Sequence, residues 1–285
     1  MSPALTEALP ACGLWGLAGT LVLLALFAML RGRVRIEGGW GGLTIPRFSG
    51  FERLVHWLLA FSFVVLALTG LNALYGAQIV LPLIGPDAFA AVRSWSRLVH
   101  NNAAFPFMFA LALAGLLWLR HSLPHWRDVV WLAMGGGLLV RRWRPAAWKF
   151  NAGQKILFWA LMLGGLSLSL TGLALLFPWT APLSKTFALL NGLGLRLPAN
   201  LTPVEEMQLA SAWHMAAALA LTCLVVVHIY LRTYGIQGAF SAMGTGEVDV
   251  NWARQHHSLW AERENKRMED ASATGADAAR MAPAE

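Results

Sequence analysis

The stretch EMQLASAWHMAAALALTCLVVVHIYLR, residues 206–232, decides the fold. It has the length and apolarity of a membrane-crossing helix, which needs about 20 apolar residues. It nevertheless carries two histidines, His214 and His228. Their separation of 14 residues puts them ~21 Å apart along a helix axis, with directions differing by only ~40°. Neutral imidazole is the commonest metal ligand. Two on one helix face, one near each membrane surface, predict two metal centres stacked across a bilayer.

The composition agrees with a membrane protein. Hydrophobic residues make up 57% of the 285 and charged residues 13%, and the mean hydropathy is +0.53. Long continuous apolar runs favour helices over a barrel. Cys12 and Cys223 are too few for a disulfide framework or an iron–sulfur cluster.

Five apolar runs follow one another: 13–30, about 53–75, about 100–119, about 156–177 and the two-histidine run itself. The first has no basic flank before it and three arginines after it, the reverse of a secretory signal, and is an extra transmembrane helix. Residues 129–140, VVWLAMGGGLLV, would span only ~18 Å as a helix and are expected to be interfacial or loop-packed. Of 22 lysines and arginines, 18 fall in segments 31–53, 120–155 and 232–285. That asymmetry places these segments in the cytoplasm and the N-terminus outside. The basicity is therefore a topology signal and not a nucleic-acid footprint. The tail beyond about Ala261 is charged, then Ala-rich, and expected to be disordered at its end.

This orientation gives each histidine a depth. His56 and His228 sit just inside the cytoplasmic ends of their helices. His100, which opens the third run, and His214 lie at the outer side. An inner pair, His56 with His228, and an outer pair, His100 with His214, supply the axial imidazoles that two b-type haems require. Ionisable residues at such depths are functional candidates by default. LALTGL (66–71) and LSLTGL (168–173) form an internal echo that puts Gly70 and Gly172 at outer depth, where glycine lets a flat macrocycle approach the backbone. His121, His125, His256 and His257 are expected to be solvated or surface-packed. The fold class is thus an all-α integral membrane protein: a four-helix transmembrane bundle holding two haems, plus one extra N-terminal transmembrane helix. Its parts are 1–46 (the extra helix and a Gly-rich connector), 47–235 (the bundle) and 236–285 (a cytoplasmic segment and tail).

Four stretches resemble the membrane cytochrome b (gamma) subunit of respiratory formate dehydrogenases: RFSGFERLVHWLLAFSFVVLALTG (47–70), KFNAGQKILFW (149–159), WHMAAALALTCLVVVHIYLRTYG (213–235) and GAFSAMGTGEVDVNWARQHHSLW (238–260). The resemblance implies that His100 and His214 ligate the outer haem iron and His56 and His228 the inner. It also implies a quinone site beside the inner haem at Asn151, Gly153 and Gln154, with His228 adjoining. An amide donor suits a quinone carbonyl, although Asn151 also has the pattern of a plain helix cap. The implied partners are an iron–sulfur subunit and a catalytic molybdenum or tungsten subunit on the outer face, with membrane quinone as substrate. The chain is then the electron-transferring, quinone-reducing subunit of an oxidoreductase. It is not the formate-oxidising one, and it holds no catalytic residues of its own.

Two kinds of alternative stay open. One is a cytochrome b subunit of a hydrogenase or of another molybdenum oxidoreductase, the other a haem-free membrane anchor or transporter. On the bundle reading, Arg47, Arg53 and Arg232 are candidate propionate partners, and Glu52 and Asp249 candidate proton carriers.

Overall fold

The computed structural model describes residues 3–138, 140, 143–180, 182–198 and 200–281. Helix α1 (Pro3–Arg31) precedes a short strand β1 (Thr44–Pro46), then α2 (Gly50–Ile79), α3 (Leu81–Ile84) and α4 (Pro86–Ser122). Helices α5 (Trp126–Ala133), α6 (Ala152–Leu176), α7 (Leu183–Gly192) and α8 (Pro203–Tyr230) follow. The chain closes with α9 (Ser241–Gly244), β2 (Glu247–Asp249), α10 (Val250–His256) and α11 (Ser258–Met281). Five helices are long and apolar enough to cross a membrane, over Ala8–Arg31, Gly50–Ile79, Pro86–Ser122, Ala152–Leu176 and Pro203–Gly235. This is an all-α integral membrane protein.

The helices begin where their sequences can satisfy free backbone N–H groups. At α2, Ser49 Oγ accepts from Glu52 N–H (3.2 Å) while Glu52 Oε2 accepts from Ser49 N–H (2.8 Å). At α8 the same reciprocal box joins Thr202 and Glu205; at α5 Asp128 Oδ2 accepts from His125 N–H, and His125 Nδ1 accepts from Arg127 N–H. Each box closes two orphan donors at once.

The chain divides into two compact units. The first comprises Met1–Phe27, Leu54–Leu117 and Phe158–Tyr230, and so contains most of the long helices. Within it α1 docks through small residues: Tyr75 Oη–H donates to Pro10 O (2.7 Å), and a Cβ on Gly13 would run into Leu219 and Tyr75. The rest of α1 leaves Leu21, Leu23 and Leu30 exposed, as a lipid-facing helix should. Gly164 lies against Leu221, and Gly165 against Leu111 and Phe107. Missing side chains at these points let neighbouring helices approach closely, the usual packing device inside membranes.

The second unit comprises Ala28–Arg53, Trp118–Leu157 and Leu231–Glu285. Strands β1 and β2 pair antiparallel, with Ile45 opposite Val248, both buried. Around them lie Phe48, Trp252 and Trp260, and among these rings stands the buried guanidinium of Arg47. Its Cζ lies 4.7 Å from the Trp260 ring centroid, 5.3 Å from Trp252 and 5.4 Å from Phe48. Arg47 Nη2–H donates to Lys149 O and to His257 Nε2, the latter at 3.1 Å. Burial, reinforced by the Arg232 charge and opposed by Glu52, lowers the Arg47 pKa to about 9.

One span boundary is revised. The third span begins at Pro86, not at His100, so the Trp- and Arg-bearing stretch 87–99 is helix and not loop. Its arginines interrupt the apolar pattern, but a helix satisfies its own backbone whether or not its side chains face lipid. Within 129–140 the structure has the end of α5 and then Gly135, Gly136 and Gly137, all at positive φ that only glycine adopts freely; Leu139 lies outside the described residues. The tail is helical to Met281, and residues 282–285 lie outside the described residues.

His257, expected at the surface, is fully buried. Because the arginine can only donate, His257 Nε2 must accept; its Nδ1–H donates to Trp148 O at 2.7 Å. One neutral tautomer is thereby fixed. Burial and the Arg47 charge push its pKa well below the usual value, and burial with the Arg232, Arg144 and Arg47 charges holds His256 at about 3. The unfolded chain takes up protons here near pH 6.5 that the folded unit refuses. Stability should therefore be flat above pH 6.5 and fall as pH drops toward 3, by up to about 1.4 kcal/mol per pH unit per histidine. Thermal unfolding followed by tryptophan fluorescence between pH 8 and 4 checks this, and His257→Gln should flatten the slope.

Candidate haem centres

Helix α8 carries His214 and His228 as expected, and each meets one partner inside the first unit. The rings of His100, on α4, and His214 have centroids 6.3 Å apart. Those of His56, on α2, and His228 lie 6.5 Å apart. An iron held between two imidazole nitrogens at metal–nitrogen distances of about 2.0–2.1 Å would place the ring centroids roughly 6–6.5 Å apart. Both pairs fit that span. Among the described residues no group of three or more His, Cys, Asp or Glu could hold a metal ion. Two imidazoles alone suit an iron whose remaining ligands come from a macrocycle.

The outer histidines are held by a repeated device. On α2, Thr69 Oγ1 lies 2.7 Å from Val65 O and 2.8 Å from His100 Nδ1. On α6, Thr171 Oγ1 lies 2.8 Å from Ser167 O and 2.9 Å from His214 Nδ1. A carbonyl can only accept, so each hydroxyl proton goes to its own helix backbone and its oxygen accepts from the imidazole Nδ1–H. Both histidines are thus neutral tautomers whose Nε2 lone pairs are free for a metal, the orientation such outer hydrogen bonds impose.

The next residue in each case is the glycine of the sequence echo. A Cβ on Gly70 would lie 3.5 Å from His100 Cε1, and one on Gly172 would lie 3.3 Å from His214 Cε1. The two glycines thus lie directly beside the histidine rings. Thr69 and Thr171 escaped the sequence reading, although the paired TG dipeptides were their signal.

Asn151, Gly153 and Gln154 lie in the second unit and His228 in the first. Asn151 Oδ1 accepts from Gln154 N–H (3.0 Å) and Gln154 Oε1 accepts from Asn151 N–H (3.1 Å), a reciprocal cap on α6. The cap uses the amide oxygens and leaves the two NH2 groups as donors. Gly153 lies against the Trp131 ring, 3.0 Å from where its Cβ would be.

Arg47, Arg53, Glu52 and Asp249, among the candidate propionate and proton groups, each have protein partners of their own. Arg47 is enclosed as described, and the Arg53 guanidinium donates to the carbonyls of Met243, Gly244 and Thr245 at the end of α9. Glu52 caps α2, accepts from Trp118 Nε1–H (3.1 Å) and pairs with Lys149 (3.0 Å). Asp249 caps α10 and accepts from Gly41 N–H (2.8 Å).

A helical membrane protein with paired, oriented imidazoles has the construction of a membrane b-type cytochrome. The chain belongs to the prokaryotic cytochrome b561 family, whose profile matches residues 47–246. It is 26% identical over 218 residues to the cytochrome b556(fdo) subunit of formate dehydrogenase from Escherichia coli K12, covering 76% of this chain and 92% of that one. It is 28% identical over 217 residues to the formate dehydrogenase cytochrome b556 subunit of Haemophilus influenzae, covering 74% and 80%. The nitrate-inducible cytochrome b556(Fdn) subunit of E. coli K12 is 24% identical over 219 residues.

The threonines give a spectroscopic prediction. Valine at 69 or 171 keeps the shape and removes the acceptor, which makes the imidazole a weaker donor to oxidised iron. On the reading of His100 and His214 as haem ligands, the midpoint potential of that centre should rise and its haem should be lost more readily, by about 10- to 100-fold in affinity. A redox titration of the α band checks this; potentials identical to wild type would refute it.

Proposed function

We propose that the chain is the cytochrome b subunit of a membrane-bound formate dehydrogenase. In this reading, two haems b supply one-electron transfer, taking electrons from an external iron–sulfur subunit through the outer and then the inner centre to membrane quinone. The catalytic molybdenum or tungsten subunit lies beyond that iron–sulfur partner. The observation that carries the reading is the pair of imidazole couples drawn from one helix, His214 and His228, each matched by a partner ring. The names of the similar proteins support formate dehydrogenase as the complex.

His100 and His214 hold the outer iron, and His56 and His228 the inner. Thr69 and Thr171 set the tautomer and direction of the outer ligands. Asn151 and Gln154 offer amide N–H donors to a quinone carbonyl at the start of α6, with the Gly153 backbone between them. The distribution of lysine and arginine supports a bacterial inner-membrane protein with its N-terminus periplasmic and its C-terminus cytoplasmic. Charge moved inward against the membrane potential stores about 2.3 kcal/mol per electron per 100 mV.

Capping and quinone roles separate under Asn151→Asp and Gln154→Glu, which keep the capping oxygens and remove the NH2 donors. In membranes carrying the whole complex, formate should still reduce the haems of both variants, while quinone reoxidises them at least about tenfold more slowly, the loss of more than 1.4 kcal/mol of binding. Unchanged reoxidation would leave these residues as caps alone. Haems that formate cannot reduce in the wild-type complex would remove formate dehydrogenase as the donor.

A further inference from the structure

One cavity lies apart from the paired histidines and wholly within the second unit. It is a half-open cleft of about 270 Å³, and Arg120, Lys149, Lys155 and Arg263 line it. His121 and His125 also line it, and among the described residues no carboxylate does. The acids that balance these cations stand outside the lining. Glu52 pairs with Lys149 at 3.0 Å, and Asp128 with Lys155 at 2.8 Å. Glu264 reaches Arg263 only at 4.0 Å and is shared with Arg267 at 3.8 Å. Among the described residues no ion pair engages Arg120; its Nε–H donates to His121 Nε2 at 3.1 Å. The cavity therefore keeps a positive excess along its lining.

Its position along the chain adds a second argument. Arg120 and His121 belong to the last turn of one membrane-crossing helix, and Lys155 to the first turn of another. Cationic side chains at the ends of spans stand at the depth of lipid headgroups, where anionic phospholipid attracts them. The remaining wall is apolar or aromatic, with Leu123, Pro124, Phe150 and Trp148. Tryptophan is characteristic of this level of a bilayer. The volume lies just under the roughly 300–1,000 Å³ of small-molecule sites, so a headgroup and its glycerol ester fit where a whole lipid does not.

We propose that this cavity binds a phosphate ester, supplied by the headgroup of an anionic phospholipid, with Arg120 and Arg263 as the guanidinium partners and Lys149 and Lys155 as supporting charges. Guanidinium groups suit phosphate because they donate in a planar fork. None of these residues is a histidine ligand or one of the amides offered to quinone, so the assignment stands whatever the fate of the electron path.

The test uses the purified, haem-loaded complex, delipidated and placed in phosphatidylcholine nanodiscs. Short-chain phosphatidylglycerol is titrated in one arm and inorganic phosphate in another, with bound ligand counted by native mass spectrometry. Wild type should retain phosphatidylglycerol at least about tenfold better than phosphatidylcholine, a difference of 1.4 kcal/mol. Arg120→Gln with Arg263→Gln should abolish that preference, and Arg120→Lys with Arg263→Lys should restore part of it. An unchanged haem spectrum reports that each variant is folded. Retention of inorganic phosphate and not of the lipid, lost in the same glutamine variant, would keep the phosphate site and make its source soluble. The proposal is overturned if wild type shows no preference for either ligand, or if the glutamine variant binds as wild type does.

Discussion

Replacing His100 with alanine should leave the protein with one haem b fewer per chain, and the spectrum that remains should match that of His214→Ala. The argument is geometric. Ring centroids at 6.3 Å leave room for one iron between these two imidazoles, and a centre deprived of either has lost half of its protein ligands. The same holds for His56→Ala and His228→Ala, whose residual spectra should match each other and differ from the first pair. Pyridine-haemochrome quantification gives the count, and low-temperature α-band spectra identify the surviving centre. If His100→Ala and His228→Ala left the same spectrum, the pairing would be wrong. If no substitution changed the haem content, the paired histidines would not be ligands at all. Neither result depends on which donor or which quinone the complex uses.

The largest effect on folding should come from Arg47→Ala. This side chain is 4% exposed, and its guanidinium is surrounded by Phe48, Trp252, Trp260 and His257. Alanine would open a cavity among three aromatic rings and leave Lys149 O and His257 Nε2 without the donor they now share. Breaking such a buried polar arrangement costs about 3–5 kcal/mol, and the cavity adds to it. Arg47→Met fills the space with apolar atoms and removes the buried charge, so it should cost distinctly less. Limited proteolysis at residues 231–281, and hydrogen exchange of the α10 and α11 amides, would report the loss. Haem content should be retained, because Arg47 belongs to the second unit and the four paired histidines to the first. Equal loss in Ala and Met would mean that the charge itself is required.

Much of the fold was written in local sequence. Five apolar runs specified five long helices because a bilayer allows few other structures. The residues Ser49, Thr202 and Asn151, each followed three positions later by Glu or Gln, marked helix starts by a purely local hydrogen-bond pattern. The spacing of His214 and His228 along α8 also followed from counting residues along a helix of fixed rise. The start of α4 lies outside its apolar run, because backbone hydrogen bonding continues through Arg93 and Arg97 without apolarity.

What the sequence determined by itself was periodic and local: the spans, the caps, and the two histidines sharing one face of α8. Only the tertiary structure decided which groups meet across distant elements. It set Thr69 against His100 and Thr171 against His214, turning a repeated dipeptide into two oriented imidazoles. It also buried Arg47 and His257, 210 residues apart, within one aromatic enclosure, although a histidine in a polar segment reads as solvated. The physical reason is range. Backbone geometry repeats every few residues and shows in the pattern, whereas hydrogen-bond partners and burial depend on which helices pack, and sequence spacing does not encode that.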